Sequence, residues 1–208
     1  MIGFRSALVN NKLILKDILI ILASGSRYRR ELLERLGLPF QTWSPDVDES
    51  PRPGESPRET AVRLAREKAR AGALSHPGAW IIGSDQVAEL DGQPIGKPGN
   101  RENARAQLRA MRGRSVQFHT GVCLFNAQRE RLQERLVTTD VAFRALEDDE
   151  IERYLDREPA FDCAGSAKSE ALGISLLDRL SGDDPTALVG LPLIALSAML
   201  RAEGIAVP

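Results

Sequence analysis

The stretch from Ile18 to Gly37 constrains this chain more than any other. An apolar run, Ile18-Leu19-Ile20-Ile21-Leu22-Ala23, breaks into Ser24-Gly25-Ser26-Arg27-Tyr28-Arg29-Arg30 and then into the helix-like Glu31-Leu32-Leu33-Glu34-Arg35-Leu36-Gly37. A short buried strand feeding a small-residue turn aims the free N–H groups of the next helix at one spot, and the helix dipole favours an anion there. Two hydroxyls and three guanidiniums add charge-assisted donors at the same place. The alternative is a strand, a turn and a helix with a solvated basic face that binds nothing.

Strand and helix signals alternate over the remaining sequence. Phe40 to Trp43 reads as a second strand, and Ser44 to Glu55, rich in proline and acidic residues, as a loop. Ser56-Pro57-Arg58-Glu59 is a capping box with proline at the first helical position, so a helix is predicted from about Pro57 to Leu74. Lys68 on that helix has the plain reading of a surface cation. Ala79 to Gly83 reads as a buried strand ending at Ser84-Asp85-Gln86, and Val87 to Leu90 as one arm of a hairpin turning at Asp91-Gly92 toward Ile95-Gly96-Lys97-Pro98. Helical spacing marks 100–111 and 147–155. Long strands are predicted over 114–126 and 132–143, and a last helix after Val189-Gly190-Leu191-Pro192-Leu193 through about Arg201. The mixture predicts an α/β fold with a mixed sheet in one domain over 18–208. Residues 1–17 are left as an extension of undecided role. They imitate a signal peptide only weakly, because the apolar run after Asp17 is short and leads into the arginine-rich turn.

Composition excludes several classes of function. A net charge of −1 lacks the basic excess of a general nucleic-acid binder. No stretch has the length of a transmembrane helix. Cys123 and Cys163 form no C-x-x-C and join no histidine group, so a zinc site or disulfide framework is not expected and a reducing, cytoplasmic setting fits best. His76 in a turn and His119 in a strand give no metal or triad pattern.

The polar residues that remain mix cations with carboxylates: Ser24, Ser26, Arg29 and Arg30; Asp46, Asp48 and Glu49; Lys68, Asp85 and Gln86; Lys97; Lys168 and Glu170. Hydrolysis of a nucleoside triphosphate needs both signs, since arginine and lysine hold phosphate oxygens while carboxylates bind a divalent cation and orient water. No P-loop and no G-x-G-x-x-G is present to explain them otherwise. Asp85 is the candidate base because it follows a buried strand, where an unpartnered carboxylate is costly; its plain reading is a turn cap. Glu49 reads as solvated in its loop, whereas Lys97 sits rigidly between Gly96 and Pro98. From the residues alone the chemistry is phosphate handling assisted by metal.

In combination, Leu22-Ala23-Ser24, Arg29-Arg30, Asp48-Glu49, Lys68-Ala69, Gly83-Ser84-Asp85-Gln86, Gly96-Lys97-Pro98, Thr120-Gly121 and Val189-Gly190-Leu191-Pro192-Leu193 resemble the Maf family of nucleotide pyrophosphatases over nearly the whole chain. Cys163-Ala164-Gly165-Ser166 with Lys168-Ser169-Glu170, and Asp184-Pro185-Thr186, resemble its 7-methyl-GTP branch. The resemblance implies a fold of the inosine-triphosphate-pyrophosphatase kind, with two lobes around a cleft, and cleavage between the α and β phosphates. It implies Asp85 as proton acceptor and Ser24, Arg29, Lys68 and Lys97 as substrate contacts. It also implies a divalent cation at Glu49 and Asp85, Mg²⁺ with Mn²⁺ and Co²⁺ as alternatives, and a homodimer. Tyr28, Gln86 and Glu170 fall on positions tied to base preference. Tyr28 departs from the tryptophan usual there. Glu170 suits the paired N1–H and amino donors of guanine, and an aromatic face at Tyr28 attracts an N7-methylated, cationic base. Two alternatives remain: a pyrophosphatase for dTTP, UTP or other noncanonical triphosphates, and a nucleotide-binding regulator of cell division.

Overall fold

The computed structural model describes residues 18–207; the reading of 1–17 as an extension lies outside the described residues. A seven-stranded sheet runs in the order β2-β1-β3-β5-β6-β7, with β4 paired to β3. Its strands are β1 (Ile20–Ala23), β2 (Gln41–Trp43), β3 (Trp80–Leu90), β4 (Gln93–Ile95), β5 (Ser115–Asn126), β6 (Arg131–Phe143) and β7 (Leu177–Ser181). β1 is parallel to both β2 and β3, and the other pairs are antiparallel. The helices are α1 (Arg27–Glu34), α2 (Pro57–Ser75), α3 (Arg101–Met111), α4 (Asp148–Arg157) and α5 (Leu193–Ala202). The α/β fold with a mixed sheet is as the sequence predicts.

Two lobes share this sheet. In one, β1 alternates its side chains: Ile20 and Leu22 pack on Leu32 and Leu33 of α1 and Leu196 and Leu200 of α5, while Ile21 and Ala23 pack on Ala65 and Ala69 of α2. In the other, Phe118, Val141 and Phe143 pack with Leu108 and Met111 of α3 and Ile151 and Leu155 of α4. Each such buried side chain contributes about 1.5–3 kcal/mol. The long strands β3 and β5 cross from one core to the other, and the cleft opens where they cross.

Local chemistry explains most boundaries. The predicted capping box is present: Ser56 N–H donates to Glu59 Oε2 at 2.9 Å, and Glu59 N–H to Ser56 Oγ at 3.3 Å. Asp91 and Gly92 both take positive φ, 52° and 77°, as the two-residue turn joining β3 to β4 requires. Asp184, expected only as part of a family motif, is buried and accepts from Ile194 N–H at 2.7 Å and Ala195 N–H at 3.4 Å, closing the first turn of α5.

Two expectations are corrected. α1 begins at Arg27, four residues before the predicted Glu31, because Ser26 is extended and caps it. β3 does not end before Asp85; its ladder with β5 continues unbroken through Asp85 opposite Gly121 to Glu89 opposite Gln117. After α4, 3₁₀ turns at Ala164–Ser166 and Leu172–Leu176 and then β7 follow, each too short to leave a hydrophobic period in the sequence.

Candidate active site

The geometry of the arginine-rich turn follows from where α1 starts. Ser24 Oγ accepts from Ser26 N–H at 3.2 Å, folding the chain out of β1 and into the cap of α1. Once Arg27 to Arg30 lie within the first helical turn, their side chains diverge by about 100° per residue. Arg29 points inward, donating Nη1–H to Ser24 Oγ at 3.3 Å and Nε–H to Gly190 O at 2.9 Å. Arg30 points out toward Glu34, and Arg27 lies over the Tyr28 ring. One of the three guanidiniums therefore reaches the carboxylates. Burial lowers the pKa of Arg29, which Asp85 and Glu49 partly offset; an arginine remains charged regardless.

Asp85 and Lys68 meet because two glycines let α2 lie directly on the sheet. A Cβ at Gly83 would stand 2.1 Å from Ala65 O, and one at Gly121 would stand 2.4 Å from Ala61 O. Gly83 lies two residues before Asp85 on β3 and Gly121 lies opposite it on β5, so all three face α2. Lys68 then sits over Asp85. Only 6% exposed, it is not the surface cation its position suggests. Its Nζ lies 2.6 Å from Asp85 Oδ1 and 2.5 Å from Glu49 Oε1, while Arg29 Nη2 lies 3.9 Å from the same Asp85 oxygen. Burial pushes the Glu49 carboxyl up, but the Lys68 hydrogen bond and charge, with Lys97 and Arg29, hold it below the usual value.

The glycine-proline motif near the carboxyl terminus holds Arg29. Gly190 takes φ of 116°, a conformation that side chains rarely adopt, and its carbonyl accepts from both Arg29 Nε–H and Ser84 Oγ–H, each at 2.9 Å. Gln86 Nε2, with two N–H donors, lies 2.9–3.0 Å from three acceptors, Thr120 Oγ1 and the carbonyls of Ala187 and Leu188. Its amide thus ties the 187–190 segment to the sheet.

These groups line one cavity of 740 Å³. It gathers Ser24, Arg29, Glu49, Lys68, Asp85 and Lys97, with Ser26, Tyr28 and Gln86 also on its wall. Arg30, Asp46, Asp48, Lys168 and Glu170 are not on that wall. Glu170 is exposed, and Asp46 and Asp48 border a separate hollow. Asp162, which sequence reasoning passed over, is on the wall; its one signal is its place directly before the Cys163-Ala164-Gly165-Ser166 motif. Arg27 Cζ and Lys168 Nζ lie 4.7 and 5.6 Å from the Tyr28 ring centroid, so the ring already contacts two of the protein's own cations.

Chemically, the centre offers an anion site flanked by a carboxylate able to take a proton. Arg29, Lys68 and Lys97 outnumber Glu49 and Asp85 by one charge, far short of neutralising a triphosphate. Among the described residues no group of three or more His, Cys, Asp or Glu forms a self-sufficient metal site. The pair Glu49 and Asp85, converging on one ammonium, supplies two hard oxygen donors, which fits a cation of the Mg²⁺ class that takes its other ligands from phosphate and water. His119 stands apart from this centre, fully buried between Thr138 Oγ1 and Glu89 Oε2 at 2.9 Å each.

Comparison with known proteins identifies the family and the fold. Residues 19–203 match the family model described as Maf-like protein. A 7-methyl-GTP pyrophosphatase of Aromatoleum aromaticum is 63% identical over 91% of this chain and 97% of its own. Proteins of the same name from Xanthomonas oryzae pv. oryzae and Burkholderia thailandensis are each 60% identical, over 91% and 89% of this chain and 98% and 87% of theirs. The structure of the Staphylococcus aureus Ham1 protein superposes with a TM-score of 0.53 over 89% of this chain and 99% of its own, at 16% identity, a likeness of fold alone.

Proposed function

The chain belongs to the Maf family, and we propose that it is a cytoplasmic 7-methyl-GTP pyrophosphatase, converting that nucleotide to 7-methyl-GMP and pyrophosphate and so removing a modified nucleotide from the pool. The observation that carries the reading is the Lys68 ammonium bridging Asp85 and Glu49, with Arg29 beside Asp85, inside one cavity large enough for a nucleotide. The substrate comes from the names of relatives that match nearly end to end.

In this reading Asp85 takes the proton from a water attacking the α-phosphorus in line with the departing pyrophosphate. Lys68, whose Nζ donates to Asp85 Oδ1 at 2.6 Å, keeps that carboxylate aimed. Arg29, fixed by Gly190, faces the charge that grows on the phosphoryl oxygens, and Lys97 faces the departing pyrophosphate. A divalent cation held by Glu49 and Asp85 would supply further neutralisation of the phosphate oxygens.

The test is pyrophosphate release from 7-methyl-GTP, GTP, CTP, UTP and dTTP with Mg²⁺, Mn²⁺ or Co²⁺ and after chelation. The proposal expects the highest kcat/KM on 7-methyl-GTP, lost on chelation and restored by a divalent cation. Faster turnover of dTTP or UTP would move the chain to the other substrate class, and nucleotide binding without any pyrophosphate released would favour a regulatory role.

A further inference from the structure

Arg63, on α2, is only 9% exposed, yet it lies off the cleft wall and outside the chemistry above. Its guanidinium binds the loop that carries Glu49. Nε–H and Nη2–H donate to the two oxygens of Glu55 at 2.6 and 2.8 Å, and Nη2 donates its second proton to Ser50 O at 3.0 Å. Nη1–H donates to Glu67 Oε2 at 3.0 Å, and Glu55 Oε2 also accepts from Arg52 N–H at 3.1 Å. The loop is thus clamped to the helix at Ser50, Arg52 and Glu55.

Glu49 sits inside that clamp. Asp48 Oδ1 accepts from Ser50 N–H at 3.0 Å, closing a turn with Glu49 at its centre, and the carbonyl of the same Ser50 is the one that Arg63 holds. The Glu49 side chain is 55% exposed and pairs with Lys68 at 2.5 Å. A carboxylate that open keeps much of its rotamer freedom, so the place of its backbone decides whether it meets Lys68.

Charge does not account for the clamp. Arg52 and Arg63 face Glu55 and Glu67, two cations against two carboxylates, so the group adds no net charge beside the cleft. Stability is a weak account too, since desolvation offsets much of the attraction within a buried ion pair. An arginine fork supplies what a lysine or an apolar chain does not: several bonds in one fixed plane, here to two carboxylates and a main-chain carbonyl at once. The bonds from Arg63 hold the Glu55 carboxyl down at about 2, against the upward push of burial, so the clamp stays charged at neutral pH.

Resting on the hydrolytic reading above, we propose that Arg63, acting with Glu55, is a positioning residue that sets Glu49 against Lys68 and Asp85. Arg63→Lys keeps the charge and removes the fork. The experiment measures kcat/KM on 7-methyl-GTP in wild type, Arg63→Lys, Glu49→Gln and the double variant, with amide hydrogen exchange over 44–55. Arg63→Lys should lose about 10- to 100-fold in the wild-type background but less than about threefold in the Glu49→Gln background, because a residue that acts through Glu49 has nothing left to place. Exchange should rise over 44–55 and stay unchanged in β3 and β5. Equal losses in both backgrounds would make Arg63 a support independent of Glu49 and overturn the inference, as would full activity or unchanged exchange over 44–55 in Arg63→Lys. Where Arg63→Lys fails to fold, Glu55→Gln completes the same cycle. A wild type that releases no pyrophosphate overturns the hydrolytic reading, and exchange over 44–55 then decides the positioning of the loop by itself.

Discussion

Lys68 Nζ lies 2.6 Å from Asp85 Oδ1, although one comes from the middle of a helix and the other from the middle of the central strand. Neither position belongs to a loop. The contact exists because Gly83 and Gly121 remove the side chains that would otherwise hold α2 off the sheet. A rigid support then fixes the Asp85 carboxylate, so the precision of the site is a property of core packing.

That dependence makes Gly121→Ala the sharpest test of the scaffold. Its Cβ would meet backbone, the Ala61 carbonyl, which cannot rotate away. The helix must shift, costing about 1–3 kcal/mol of stability and parting Lys68 from Asp85. Chemical denaturation and steady-state turnover should both fall; unchanged turnover would show that the helix–sheet distance does not set the site.

Lys68→Met removes the ammonium between two carboxylates. Asp85 then keeps only Arg29, at 3.9 Å, and the loss of a buried partner costs about 3–5 kcal/mol. Asp85→Asn leaves Lys68 its bond to Glu49 and should be the more stable variant. Denaturant midpoints of the two check the order. The reverse order would mean that Lys68 is held by something other than this pair.

His119 makes stability fall on mild acidification. Burial lowers its pKa below the ordinary 6.5, and Arg58 adds to this, against the opposing pull of Glu89 and Asp140. The carboxylate of Glu89 accepts only, so Nε2 carries the proton and Nδ1 accepts from Thr138. With the folded pKa depressed, the unfolded chain binds a proton first: stability is full above about pH 6.5 and is lost as pH drops through the folded value. Melting temperature should therefore fall more steeply from pH 7 to 5 in wild type than in His119→Gln. Parallel curves would remove His119 from the account.

Much of this was legible beforehand, and the failures have physical causes. The capping box at Ser56 and the Asp91-Gly92 hairpin are local signals, and the structure contains both. β3 runs on past Asp85, where the sequence predicts its end, because tertiary contact with Lys68 makes a charge tolerable in mid-strand. Lys68 looked like a surface residue because helix periodicity shows a face and not what that face meets. Asp162 was missed because its partners, Tyr28 and Lys168, come from 134 residues before and from beyond a 3₁₀ turn, and no local pattern encodes such a meeting.

The most direct measurement is pyrophosphate release from 7-methyl-GTP by wild type and by Asp85→Asn at equal concentration, with far-ultraviolet circular dichroism on both. The account predicts a folded variant whose kcat falls at least about 1000-fold while the nucleotide still binds. A folded Asp85→Asn protein that turns over within tenfold of wild type would contradict it.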